Sequence, residues 1–162
     1  MDPFLAWLEG TAFSVWVRES LSMFAFPGIL ALHTVGLGFV AGIGSVIALR
    51  VLGVAPGVPP DELRRFLPAM WAGFWVNAAS GVALLIAYPT KALENPVFYL
   101  KLLCIATAIV LGRRLVRHGL VPAGHARQPL RAAAWGVLAC WAGAIVAGRL
   151  LAYTYTRLTQ EF

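Results

Sequence analysis

One ionisable side chain, His33, sits inside an apolar run that starts at Phe26 and carries no formal charge until Arg50. At ~1.5 Å per residue the run is long enough to cross a bilayer. An imidazole in that setting can donate to a backbone carbonyl on a neighbouring helix, carry a proton, or ligate a metal through a neutral ring nitrogen. Two cations fall inside later apolar runs, Lys101 and Arg149. His33 lies six residues past Pro27, Lys101 five past Pro96, and Arg149 six before Tyr155. On helical rise that puts all three about 8–9 Å below one membrane boundary. Ser80 falls slightly deeper, with Tyr99 and Tyr153 close in level. The apolar runs contain no Asp or Glu. Two cations and an imidazole without a counter-ion call for an anion: a lipid phosphate, a haem propionate, or a carboxylate such as Glu19 or Glu94 folding inward. The plainer readings are that Lys101 and Arg149 snorkel to the headgroups and that His33 bonds a backbone carbonyl.

The more specific chemistry open to His33 is axial ligation of b-type haem. Lys101 and Arg149 would hold the propionates, and Gly36, one turn on, would leave space beside the ring. His118 and His125 belong to the opposite end, since Lys101 to His118 alone spans ~25 Å of helix. They cannot share an iron with His33, and they read as solvated loop residues. Met23 and Met70 are also out of register, so a second axial ligand would have to come from another chain or from Lys101, or the iron would be five-coordinate. The two cysteines, Cys104 and Cys140, lie inside apolar runs without CxxC or CxxCH spacing. That argues against a disulfide framework, a zinc site and covalent haem. No catalytic constellation is present; a redox subunit is the one enzymatic role left open.

The elements that must position these residues follow from composition. The chain has 162 residues, of which 60% are hydrophobic and 12% charged, with a mean hydropathy of +0.77. A soluble domain of this size could not hide so much apolar surface, so the class is a multi-pass membrane protein. Four spans are expected, at about 24–50, 67–88, 96–117 and 131–155. Short connections make an all-α, four-transmembrane-helix up-down bundle the default. Residues 1–22 place Phe4, Leu5, Leu8, Ala12 and Trp16 at helical spacing, which predicts an N-terminal amphipathic helix lying at the interface.

The formal charge of +6 sets topology rather than nucleic-acid binding, because the basic residues gather at span ends. The 1–2 and 3–4 connections hold Arg50, Arg64, Arg65, Arg113, Arg114, Arg117, Arg127 and Arg131, against Arg18, Lys91 and Arg157 on the other side. Both termini should therefore lie outside the cytoplasm, on the periplasmic side of a bacterial inner membrane. Small residues recur at fourfold spacing, including the GxxxG pair Gly38–Gly42 and the series Gly136, Cys140, Ala144, Gly148. Such stripes suit close helix contacts, within the bundle or with a partner. Trp71 and Trp135 read as interface anchors, Trp75 and Trp141 as packing residues, and Asn77 as a cross-helix hydrogen-bonding group.

Leu32-His33-Thr34-Val35-Gly36 with Gly42, Leu49-Arg50-Val51-Leu52-Gly53, and Asn95-Pro96-Val97-Phe98-Tyr99-Leu100-Lys101 resemble a family of small bacterial four-helix membrane proteins of unknown function, over nearly the whole chain. More remotely, the histidine in one helix and the lysine early in a later one resemble copper-resistance D-type and cytochrome b561-like membrane bundles. The first resemblance implies the fold, and the second implies haem or copper. Two roles are thus expected. One is an accessory or anchoring subunit, embedded in lipid among other membrane subunits or in a homo-oligomer, whose basic layer binds a phosphate or carboxylate. The other is a haem b electron-transfer subunit with His33 as ligand.

Overall fold

The computed structural model describes residues 3–118 and 128–158, the stretch 154–158 as backbone alone. His125 and Arg127 lie outside the described residues. Among those described, all regular structure is helical: α1 (Pro3–Glu9), α2 (Ala12–Glu19), α3 (Phe26–Leu52), α4 (Pro60–Arg65), α5 (Leu67–Ala87), α6 (Pro89–Leu93), α7 (Pro96–His118) and α8 (Gln128–Leu158). Four stretches are long and apolar enough to cross a membrane, Phe26–Leu52, Pro60–Ala87, Pro96–His118 and Gln128–Tyr153. The chain is a membrane protein with four candidate transmembrane helices.

Proline punctuates these elements. Prolines occupy the first turn of α3, α4, α5 and α6, and Pro96 opens α7. That position suits a residue with a fixed φ and no N–H to donate. The far end of α3 closes on Gly53, at φ +83. Gly53 N–H returns to Arg50 O at 3.0 Å and Val54 N–H to Leu49 O at 3.0 Å. Only glycine enters that left-handed turn without cost.

Two helices fill the N-terminal segment where the apolar spacing predicts one. Gly10 N–H closes α1 onto Ala6 O, and Thr11 then caps α2, its Oγ1 accepting from Ser14 N–H at 3.4 Å. A hydroxyl at that position starts a new helix more readily than it continues an old one. Both helices dock on the end of α5. The buried Ser14 hydroxyl reaches the Ile86 and Ala87 carbonyls, each at 3.2 Å. Arg18 donates to Ala87 O at 2.9 Å and to Glu9 O at 2.8 Å. The last carbonyls of α5 have no partner within their own helix, and Arg18 supplies one while complementing the negative end of the helix dipole.

Helix α3 packs chiefly against α5, and α7 chiefly against α8, with α8 also lying on α3. The two pairs meet in a core that includes Val40, Ile47, Leu115, Val137, Trp141 and Ala144. Trp141 packs as expected, with 5% of its surface exposed, whereas Trp75 is 68% exposed and stands outside the core. The two differ in which side of their helices they occupy, and depth along a helix carries no information about that.

Candidate functional site

The closest approach of α3 and α5 is made by glycines. A Cβ on Gly36 would lie 2.7 Å from both Asn77 N and Gly73 O, and one on Gly73 would lie 2.5 Å from Phe39 Cβ. Backbones that close allow polar groups one turn away to pair across the interface. Asn77 Nδ2 donates to His33 O at 2.7 Å. In return, His33 Nδ1 lies 3.0 Å from Asn77 O and 3.2 Å from Ser80 Oγ. The Ser80 hydroxyl donates back to Val76 O at 2.6 Å.

That pattern selects a tautomer. A backbone carbonyl can only accept, so His33 Nδ1 carries the proton and Nε2 presents its lone pair. Lys101 Nζ on α7 lies 3.4 Å from Nε2. An ammonium has donors only, so it donates to Nε2 and keeps its other two N–H groups for further partners. One more glycine leaves room for the imidazole, and another lies in ordinary contact with the lysine. A Cβ on Gly81 of α5 would come within 3.1 Å of His33 Cε1, and one on Gly148 of α8 within 3.8 Å of Lys101 Cε and Nζ. The site therefore draws on all four long helices: the imidazole from α3, its orienting groups from α5, the ammonium from α7, and a glycine surface from α8.

Of the residues singled out by sequence, the structure brings His33 and Lys101 together. Arg149 shares their depth but is exposed on α8, and among the described residues it takes no part in the pair. Gly36 is buried, but the space beside it is filled by the backbone of α5 rather than left for a flat ligand. Neither Glu19 nor Glu94 folds inward, since both are exposed. Glu62 and Arg65 form an ion pair on the surface of α4 at 3.3 Å. No carboxylate among the described residues reaches Lys101. His118 is exposed at the end of α7, and Cys104 and Cys140 are free thiols.

A haem iron on His33 would meet two obstacles. Lys101 Nζ stands in front of Nε2, where the metal would bind, and Gly81 lies against the edge of the imidazole. The ring as oriented suits iron, because a ligating histidine commonly donates its other N–H to a carbonyl. The space in front of it is occupied by a cation. Among the described residues no three His, Cys, Asp or Glu side chains gather as a metal site.

Sequence reasoning missed Ser80 as the second partner of Nδ1 and missed Gly81 as the residue that leaves room for the imidazole. The four-residue step from Asn77 to Gly81 was the available signal, because it places both on one face of α5. Comparison with family models, with curated proteins and with solved structures found no match.

Proposed function

We propose that the chain is an accessory or anchoring subunit of a larger membrane assembly. In this reading the His33–Lys101 pair holds an anionic group, a lipid phosphate or a partner's carboxylate, in the outer leaflet. The observation that carries it is the 3.4 Å contact between Lys101 Nζ and His33 Nε2, with no carboxylate among the described residues reaching Lys101. A half-buried ammonium that has only a neutral acceptor draws an external anion, because its desolvation is otherwise uncompensated.

The spans alternate in direction as an up-down bundle, which their short connections favour. The arginine-rich connections face the cytoplasm of a bacterial cell, and both termini lie outside. The two N-terminal helices rest at the outer interface. In support, Phe4, Trp7, Phe13 and Trp16 are all exposed, as an interfacial aromatic belt would be. A face for partner subunits is available on α3, where a Cβ on Gly38 or Gly42 would meet nothing within 4 Å. That GxxxG face is spare, because α3 reaches α5 through Gly36 instead.

The test is gentle purification of the wild type beside Lys101→Met. The wild type should carry a stoichiometric partner or tightly held anionic lipid, and Lys101→Met should lose it while still inserting as a folded chain. A lone, monodisperse, lipid-free wild type would overturn the reading.

A second reading, b-type haem on His33, draws on one favourable observation, the 3.0 Å bond from Nδ1 to Asn77 O that turns Nε2 outward. It requires Lys101 to withdraw. An absorption spectrum of the protein from haem-supplemented cells decides it: a Soret band absent from His33→Ala supports haem, and a colourless wild type removes it.

A further inference from the structure

The arginine-rich end of the bundle contains a cleft of about 240 Å³ that shares no residue with the His33 site. Helices α5 and α7 are joined through α6 at the other end, but they scarcely touch each other. The cleft opens between them, with Val40 and Gly44 of α3 and Trp141 of α8 among its inner walls. Its charged lining residues are Arg113 and Arg117, both exposed and near the end of α7. Arg113 bridges the gap, its Cζ 4.9 Å from the centre of the Trp71 ring on α5.

We propose that this cleft holds one acyl chain of an anionic phospholipid, with the headgroup phosphate on Arg113 and Arg117. Length, width and charge favour that occupant. On α7 the lining runs from Ala108 to Arg117, which at ~1.5 Å per residue is ~13–14 Å. That is about half of the ~30 Å hydrocarbon thickness, the reach of one leaflet's chains. The volume exceeds the ~150 Å³ at which a dry apolar cavity already admits benzene. The cations stand only at the span end, where a headgroup would lie, and guanidinium groups pair with phosphate through two parallel hydrogen bonds. Stacking on Trp71 holds Arg113 in place before any lipid arrives, so less side-chain freedom is lost on binding. A gap between two spanning helices also gives a lipid lateral entry.

The experiment uses the full chain in nanodiscs of equal phosphatidylglycerol and phosphatidylcholine, released into mild detergent, with retained lipids counted by native mass spectrometry. The wild type should keep one phosphatidylglycerol in preference to phosphatidylcholine. Arg113→Gln with Arg117→Gln should weaken retention roughly tenfold, the loss expected for charge-assisted bonds to a phosphate. Gly112→Leu is the second variant. Gly112 lines the cleft, and its Cβ would meet nothing within 4 Å, so leucine should fill the space and expel the chain with no fall in the thermal midpoint. Equal retention of the two lipids by the wild type would overturn the proposal. So would full retention by Gly112→Leu, which would place the lipid on the outer surface.

Discussion

His33 is held at three atoms: its carbonyl by the Asn77 side-chain amide, its Nδ1 by the Asn77 carbonyl and Ser80, its Nε2 by Lys101. The consequences of removing each contact differ. Asn77→Ala deletes the bond to His33 O and should lower stability by about 0.6 kcal/mol, and by no more than about 1.7, the average and upper end measured for hydrogen bonds between membrane helices. Reversible unfolding in mixed micelles would measure it, and no change would mean that another group satisfies the carbonyl. Ser80→Ala should cost less, because Asn77 O still accepts from Nδ1. Legibility at this scale was uneven. His33 and Lys101 were conspicuous as ionisable groups in apolar runs, and counting helical rise placed them at one depth. The same count placed Arg149 with them, although it is exposed. Rise per residue fixes depth and leaves the facing of the side chain to packing.

Between elements, glycine position separates contacts within the chain from surfaces left over. Gly36→Ala and Gly73→Ala drive a Cβ into atoms 2.7 Å and 2.5 Å away. Each should destabilise the α3–α5 contact by about 1–3 kcal/mol, as overpacking does. Gly38→Ala and Gly42→Ala enter open space and should be neutral or stabilising by up to ~1 kcal/mol through helix propensity. Thermal midpoints of the four variants give the comparison, and equal losses at all four would show that the GxxxG face is packed in the isolated chain. The N-terminal helices hang on a small set of bonds. Arg18→Ala withdraws its donors from Ala87 O and Glu9 O, so α1 and α2 should release from α5. Faster proteolytic cleavage across residues 20–25 would report it, and wild-type resistance would mean that the Ser14 bonds to Ile86 O and Ala87 O and the Thr90 N–H bond to Glu9 suffice. The prolines at the helix starts are legible in the chain itself, because their effect on the backbone is local. The break at Gly10–Thr11 also has a local signal, a glycine stop followed by a hydroxyl cap, but the apolar spacing continues across it and hides it.

At the scale of the molecule, the pairing of α3 with α5 and of α7 with α8 leaves the bundle tied at one end by α6 and parted at the other by the cleft. The proposed topology bears on both ends at once: it assigns the His33–Lys101 pair to the outer leaflet and Arg113 and Arg117 to the inner. A C-terminal reporter active only outside the cytoplasm should be active, and one active only within it silent. The reverse result would exchange the leaflets of the two sites while leaving their geometry untouched.

By itself the sequence determined the class and the number of candidate spans. Lipid offers no hydrogen bonds, so a run such as Phe26–Leu49 must satisfy its backbone internally and becomes a helix wherever it packs. It also determined which side chains are chemically distinctive, because a histidine and a lysine among apolar neighbours stand out by type alone. Only the tertiary structure decided which of them meet. The spans are apolar nearly all round, so no polar face announces an inside, and the rotation of each helix is set by where glycines let backbones approach. Gly36 and Gly73 against the facing backbone, with Gly81 leaving room for the His33 ring, make that choice for α3 and α5, and it emerges only when the helices occupy the same space.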